Sequence, residues 1–133
     1  MVSAVNEVRA RHGLDAVRPS SSLMGSAGRF SRWLMEHDTF GHLARIQASS
    51  EFVLLGEALA MHTGDRFKVR GTLARWLVSA SHRAIVLSRT MPWIGVGVTR
   101  GRFGASRATI WVIQTGRLQP LGGGSPLPQL PLP

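Results

Sequence analysis

Five histidines stand in a chain that has no cysteine. Disulfides and thiolate metal sites are therefore excluded, and any metal chemistry falls to imidazole and carboxylate. Two of the five sit where a side chain can do chemistry. His42 follows Phe40-Gly41 in DTFGH, and His82 lies in SASHR, just after an apolar helical stretch. Histidines in loops on a helical scaffold are candidate ligands, and their charge changes near neutral pH. His12 and His37 close predicted helices, where a helix C-terminus favours a positive ring, and His62 precedes a turn. No local spacing such as H-x-x-x-H links His42 to His82, so only the fold can bring them together. Glu57, in LLGEALA, gains the properties of a general base if it is buried. Ser79 and Ser81 are close enough to His82 for a Ser–His pair, although a helix-end serine usually caps. No G-x-S-x-G motif accompanies them, and no catalytic residue is assigned.

The elements that must position these residues are legible from apolar spacing. Val2, Val5 and Val8 predict a helix over 2–12, stopped at Gly13. Pro19 and the serines of RPSSS introduce a second helix with the stripe Leu23, Ala27, Phe30 and Leu34, reaching about His37. Residues 38–50 read as loop. EFVLLGEALAMH is strand or buried helix; its period does not decide. Asp65 is expected to cap a third helix with the stripe Val69, Leu73, Trp76 and Ala80, and Gly71 weakens it. His82 then falls in a turn. WIGVGVT puts Ile94, Val96 and Val98 on one strand face, leaving Gly95 and Gly97 on the other for a close neighbour. TIWVIQT (109–115) is a second strand, and RGRFGASRA reads as a long hairpin loop between them. Residues 117–133 read as a Pro/Gly-rich extended tail on a single domain spanning 1–116.

At 133 residues and 44% hydrophobic content, the chain is long enough for one real core and too short for two. No apolar run approaches the roughly 18 residues of a membrane span. The start, MVSAVNEVRARHG, lacks the apolar core of a signal peptide, so export would require one upstream of Met1. The net charge is +9, and all the basic residues but Lys68 are arginine. They form no run and accompany no nucleic-acid-binding motif, so nucleic acid is not an expected partner.

Taken in order, these segments resemble a CAP domain, the superfamily of cysteine-rich secretory proteins, allergens and pathogenesis-related proteins, in a bacterial form without cysteines. VNEVRARHGLDAVRPSSSL resembles its first helix and the loop into the second. MEHDTFGH resembles a segment ending in F-S-H, and GEALA resembles G-E-N-I-A. ARWLVSASHRAIVL resembles A-W-x-x-S-x-G-H-R-x-N-I-L, while WIGVGV and TIWVIQTG resemble the closing strands. The resemblance covers roughly residues 3–115. It implies an α+β fold, a three-layer α–β–α sandwich with a small antiparallel sheet flanked by helices. It also implies a cleft of two His and two acidic residues that holds a divalent metal, often zinc, in some members. His42, Glu57 and His82 match three of these positions, and the fourth is Ala74. Ala58, Ser81 and Ile85 depart from the pattern as well.

Two neutral imidazoles, one carboxylate and a water would complete an open tetrahedral zinc site. The expectation is thus a binding module of the cell exterior or envelope with a reduced His/Glu metal cleft, taking a lipid, an envelope polymer or a protein. The alternatives are a metal-assisted hydrolase acting on a peptide or envelope component, and a structural domain without metal.

Overall fold

The computed structural model describes residues 1–121. The elements run α1 (Val2–Arg11), β1 (Arg18–Pro19), α2 (Ser21–Glu36), β2 (Phe52–Thr63), α3 (Val69–Val78), α4 (Ala80–Val86), β3 (Trp93–Phe103) and β4 (Ser106–Leu118). The strands form one sheet in the order β1-β3-β4-β2. β3, β4 and β2 pair antiparallel, as expected, but β1 pairs parallel with β3, so the sheet is mixed. This two-residue strand has no periodicity to reveal it. Helix α2 covers one face, and α1, α3 and α4 cover the other, which gives the three-layer sandwich.

The α2 face is set by glycine. Ser20 caps the helix by accepting a hydrogen bond from the Leu23 N–H at 3.3 Å. From there α2 runs along β3 in step with it. A Cβ on Gly95 would overlap the backbone of Leu23, and one on Gly97 the backbone of Ala27. Two residues further, Ser31 Oγ meets Thr99 Oγ1 at 2.8 Å, and Met35 lies over Gly101. Four helical residues advance about 6 Å and two strand residues about 6.6 Å, so i, i+4 on the helix meets j, j+2 on the strand. Leu23, Ala27 and Leu34 are fully buried by this contact. Leu59, Ile110 and Val112 extend the same core over β2 and β4.

The opposite face carries Ala58, Ile94, Ile113 and Trp111, packed under Val5, Val8, Leu73 and Trp76. Trp76 is 1% exposed and donates its indole N–H to the Leu59 carbonyl at 2.9 Å. Arg9 is buried as well. Its guanidinium donates to the carbonyls of Asp15, Val86 and Ser88 at 2.8–3.0 Å, which ties α1 to the end of α4. Burial lowers its pKa, against the opposing pull of Asp15.

Several local expectations change. β2 is a strand of 12 residues; its apolar residues show no clean alternation because Ala58, Leu59 and Ala60 are buried in succession. Asp65 does not cap α3, which begins after Lys68 in the left-handed region (φ 50°). Instead it pairs with Arg107 at 3.1 Å. His82 lies inside α4 rather than in a turn. The expected long hairpin loop is absent: β3 and β4 stay paired to Phe103 and Ser106 and turn over Gly104 and Ala105. Gly104 has φ 58°, and its N–H donates to Asp38 at 2.6 Å. The arginines of RGRFGASRA alternate along exposed strand rather than marking a loop. β4 also runs past residue 116 to Leu118, and the Gln119 N–H donates to the Glu51 carbonyl. Strand pairing thus continues past residue 116, and most of the Pro/Gly-rich tail lies outside the described residues.

Trp76 joins α3 to β2 by both packing and a buried hydrogen bond. Trp76→Ala is expected to cost roughly 3–5 kcal/mol; truncation after Gln119, which spares every described strand pair, is expected to leave the denaturation midpoint nearly unchanged. Urea unfolding of the two variants checks both.

Candidate functional site

Glu57 lies midway along β2, in register with Gln114 of β4, which in turn faces Gly95 of β3. Cross-strand partners share a sheet face, so Glu57 and Gln114 both point to the α2 side. Space remains for them because α2 leans on the bare glycines of β3 and leaves the β2 side more open. The 38–51 segment closes that side and brings His42 over the carboxylate.

The geometry is a linear chain of hydrogen bonds. His42 Nδ1 meets Glu57 Oε1 at 2.8 Å, and Gln114 donates from Nε2 to Glu57 Oε2 at 2.8 Å. The Glu57 side chain is 6% exposed and that of His42 54%; Gln114 is buried. Both carboxylate oxygens are therefore held, one by a buried amide and one by a half-exposed ring. Two depressions open beside the carboxylate. One, about 290 Å³, lies between α2 and the sheet and is lined by Ser26, Phe30, Trp33, Leu43, Ile46, Glu57 and Gln114, among others. The other is wider and more polar, and runs along residues 42–50 and the 52–57 part of β2. Leu43, Arg45, Ile46 and Gln47 border both.

The three residues singled out in the sequence do not come together as a set. His42 and Glu57 are bonded. His82 is placed on α4, across the sheet from them: one turn further on, Ile85, with Met91 and Thr115, crowds the spot where a Cβ of Gly56 would stand. Gly56 and Glu57 are adjacent strand residues and face opposite ways, so α4 and the Glu57 carboxylate lie on opposite sides of β2. Among the described residues, no three His, Asp or Glu side chains are grouped closely enough to hold a metal ion. The residues present thus do not fit the expected three-ligand zinc site. Ala74 cannot repair it, since it lines a shallow depression with Ala4, Glu7, Val8 and Arg11 between α1 and α3. A carboxylate there would face α1. Ala58 and Ile85, two of the departures from the family pattern, belong to the apolar core of the opposite face.

Gln114 is the residue that the sequence reading missed. Its signal was present: it is a lone amide in an apolar, β-branched strand. Among the remaining histidines, His12 and His37 each meet the carbonyl four residues earlier at 2.9 Å, as the helix-end reading expected.

With fold and site in view, the comparisons with known proteins agree. The cysteine-rich secretory protein family, CAP, matches residues 2–115, and the chain belongs to this family. In structure it is similar to an outer surface protein of Borrelia burgdorferi, with TM-score 0.72 and 21% identity, over 89% of this chain and 90% of that one. An extracellular SCP-domain protein of Bacillus anthracis gives TM-score 0.66 and 22% identity over 85% of this chain. The chain spans only 37% of that protein's length. Venom allergen-like protein 4 of Schistosoma mansoni gives TM-score 0.60 and 12% identity, over 89% of this chain and 90% of that one. No curated protein matches the chain in sequence.

The two partners of Glu57 are not equivalent. Gln114→Leu strands a buried carboxylate oxygen and is expected to cost about 1–3 kcal/mol. His42→Ala leaves its oxygen within reach of water and is expected to cost less than about 1 kcal/mol, as for other exposed pairs. Denaturant unfolding of both variants checks the order.

Proposed function

We propose that this CAP domain is a ligand-binding module of the cell exterior, and that its ligand site is the cleft between α2, residues 42–47 and the β2–β4 face at Glu57. One observation carries the reading: Glu57 is buried with both oxygens already bonded, next to an open cavity with mainly apolar walls. A carboxylate held this way shapes and polarises a site rather than attacking a substrate. The exterior location is supported by the outer-surface and extracellular descriptions of the Borrelia and Bacillus relatives, and no described helix is long and apolar enough to cross a membrane.

A hydrolase reading has one observation in its favour. Glu57 holds the His42 ring at Nδ1, as an acid orients a catalytic base. A nucleophile or an activated water would have to complete it, and no serine or threonine hydroxyl is bonded to His42 among the described residues. The metal-assisted version would need His82 beside His42, which the placement of α4 opposes. Binding is therefore the stronger reading.

Amide-shift mapping of the full chain tests it with two titrants. A library of small amphiphilic fragments is expected to shift Phe30, Leu43, Glu57 and Gln114 together. Shifts centred instead on the depression between α1 and α3 would contradict the site. Zinc is expected to leave His82 unmoved; a joint response of His42 and His82 to one equivalent would restore the metal centre.

A further inference from the structure

Two buried side-chain polar atoms among the described residues have no hydrogen-bond partner: Ser26 Oγ and Gln114 Oε1. Ser26 is 2% exposed and Gln114 1%. They come from different layers, α2 and β4, yet both residues line the same 290 Å³ cavity. A buried polar atom without a partner costs about 1–3 kcal/mol, and native proteins rarely keep one without a use. The two residues that carry them share the lining of one cavity. Its walls are Phe30, Trp33, Leu43 and Ile46, and two exposed arginines, Arg29 and Arg45, also line it.

We propose that this cavity captures the C-terminus of a peptide that ends in an apolar residue. The proposal rests on reading the Glu57 cleft as a ligand site and names the ligand class. Gln114 Oε1 requires a donor. Its own amide donates to Glu57 through Nε2, and this polarisation makes the oxygen a stronger acceptor. The Ser26 hydroxyl can donate or accept. The walls require an apolar group, and the two arginines require an anion, best a carboxylate or another planar group they can grip in pairs. A terminal residue supplies all three within one unit: backbone N–H, apolar side chain and carboxylate.

A fatty acid supplies the chain and a carboxylate that can accept from Ser26, but it has no N–H and leaves Gln114 Oε1 without a donor. A sugar supplies donors but no apolar group for Phe30 and Trp33. The volume, near the lower end of small-ligand sites at about 300 Å³, suits a terminal residue and its neighbour rather than a long chain. The Glu57 carboxylate lines the same cavity and keeps its charge, which the two arginines of the lining offset.

Titration calorimetry on the full chain uses three probes: acetyl-Ala-Ala-Leu with a free carboxylate, the same peptide as its C-terminal amide, and dodecanoate. The free acid is expected to bind, and the amide to bind about tenfold more weakly, which corresponds to about 1.4 kcal/mol. Arg45→Ala is expected to erase most of that difference. Ser26→Ala is expected to weaken both peptides several-fold while leaving the thermal midpoint equal or higher, since it removes an unpartnered buried hydroxyl; a purely structural Ser26 would leave the affinities untouched. Equal affinity for acid and amide, or peptide binding indifferent to Ser26→Ala, would overturn the proposal. Dodecanoate binding without peptide binding would overturn the peptide class but keep the cleft as a ligand site. Failure of all three probes at millimolar concentration would overturn both.

Discussion

The backbone of α2 rests directly on β3, and the rest of the architecture follows from that contact. Leu23 meets Gly95, Ala27 meets Gly97, Ser31 meets Thr99, and Met35 meets Gly101. Each step matches one helical turn to two strand residues. The closest approach holds because Gly95 and Gly97 offer hydrogen atoms where a Cβ would overlap the helix backbone. A helix placed this close cannot slide or rotate without a clash. Its remaining side chains therefore point in fixed directions, with Phe30 and Leu34 toward the sheet and Ser26 and Trp33 into the space over β2 and β4.

That seating explains why a carboxylate can be buried in a small domain. A helix set this low over β3 leaves a gap over the outer strand, and Glu57 occupies its floor. Burial of an ionised group is tolerated only when its oxygens are bonded. Gln114 supplies one bond from the same sheet face and His42 the other from the covering segment. The opposite face is packed differently. There Ala58, Ile85 and Trp76 close an apolar core, and Arg9 locks α1 onto the end of α4 through three carbonyls. The sheet thus separates two tasks: one face stabilises, and the other shapes a cleft.

Much of this was readable in the amino-acid order. Helix α2 and its stripe, the helix around Trp76, and the two closing strands all announce themselves by period, and Gly95 and Gly97 announce the close neighbour. His42 and Glu57 were singled out, and they meet. The failures have a common physical origin. Motif order assigns His82 and Ala74 to cleft positions, but motif order carries no sheet face. A one-residue step along β2, from Gly56 to Glu57, changes the side of the sheet and with it the set of partners. Gln114 was hidden for the same reason: its role depends on the register of β4 against β2, which no local spacing encodes. The hairpin turn and the short parallel strand β1 were missed because exposed arginines and a two-residue ladder carry almost no apolar signal.

The central claim is that the bare face of β3 sets α2, and α2 sets the cleft. Two glycine substitutions test it side by side. A Cβ on Gly71, within α3, meets nothing within 4 Å, and Gly71→Ala should stabilise the chain by about 0.5–1 kcal/mol through helix propensity. A Cβ on Gly95 would overlap the backbone of Leu23. Gly95→Ala should therefore destabilise the chain by about 1–3 kcal/mol or more, as overpacking does, and should disturb the amide signals of Ser26, Glu57 and Gln114 under folded conditions. Paired thermal melts and amide spectra of the two variants give the answer. If Gly95→Ala were as well tolerated as Gly71→Ala, with the signals around Glu57 unmoved, α2 would not be seated by glycine contact and the account of the cleft would be wrong.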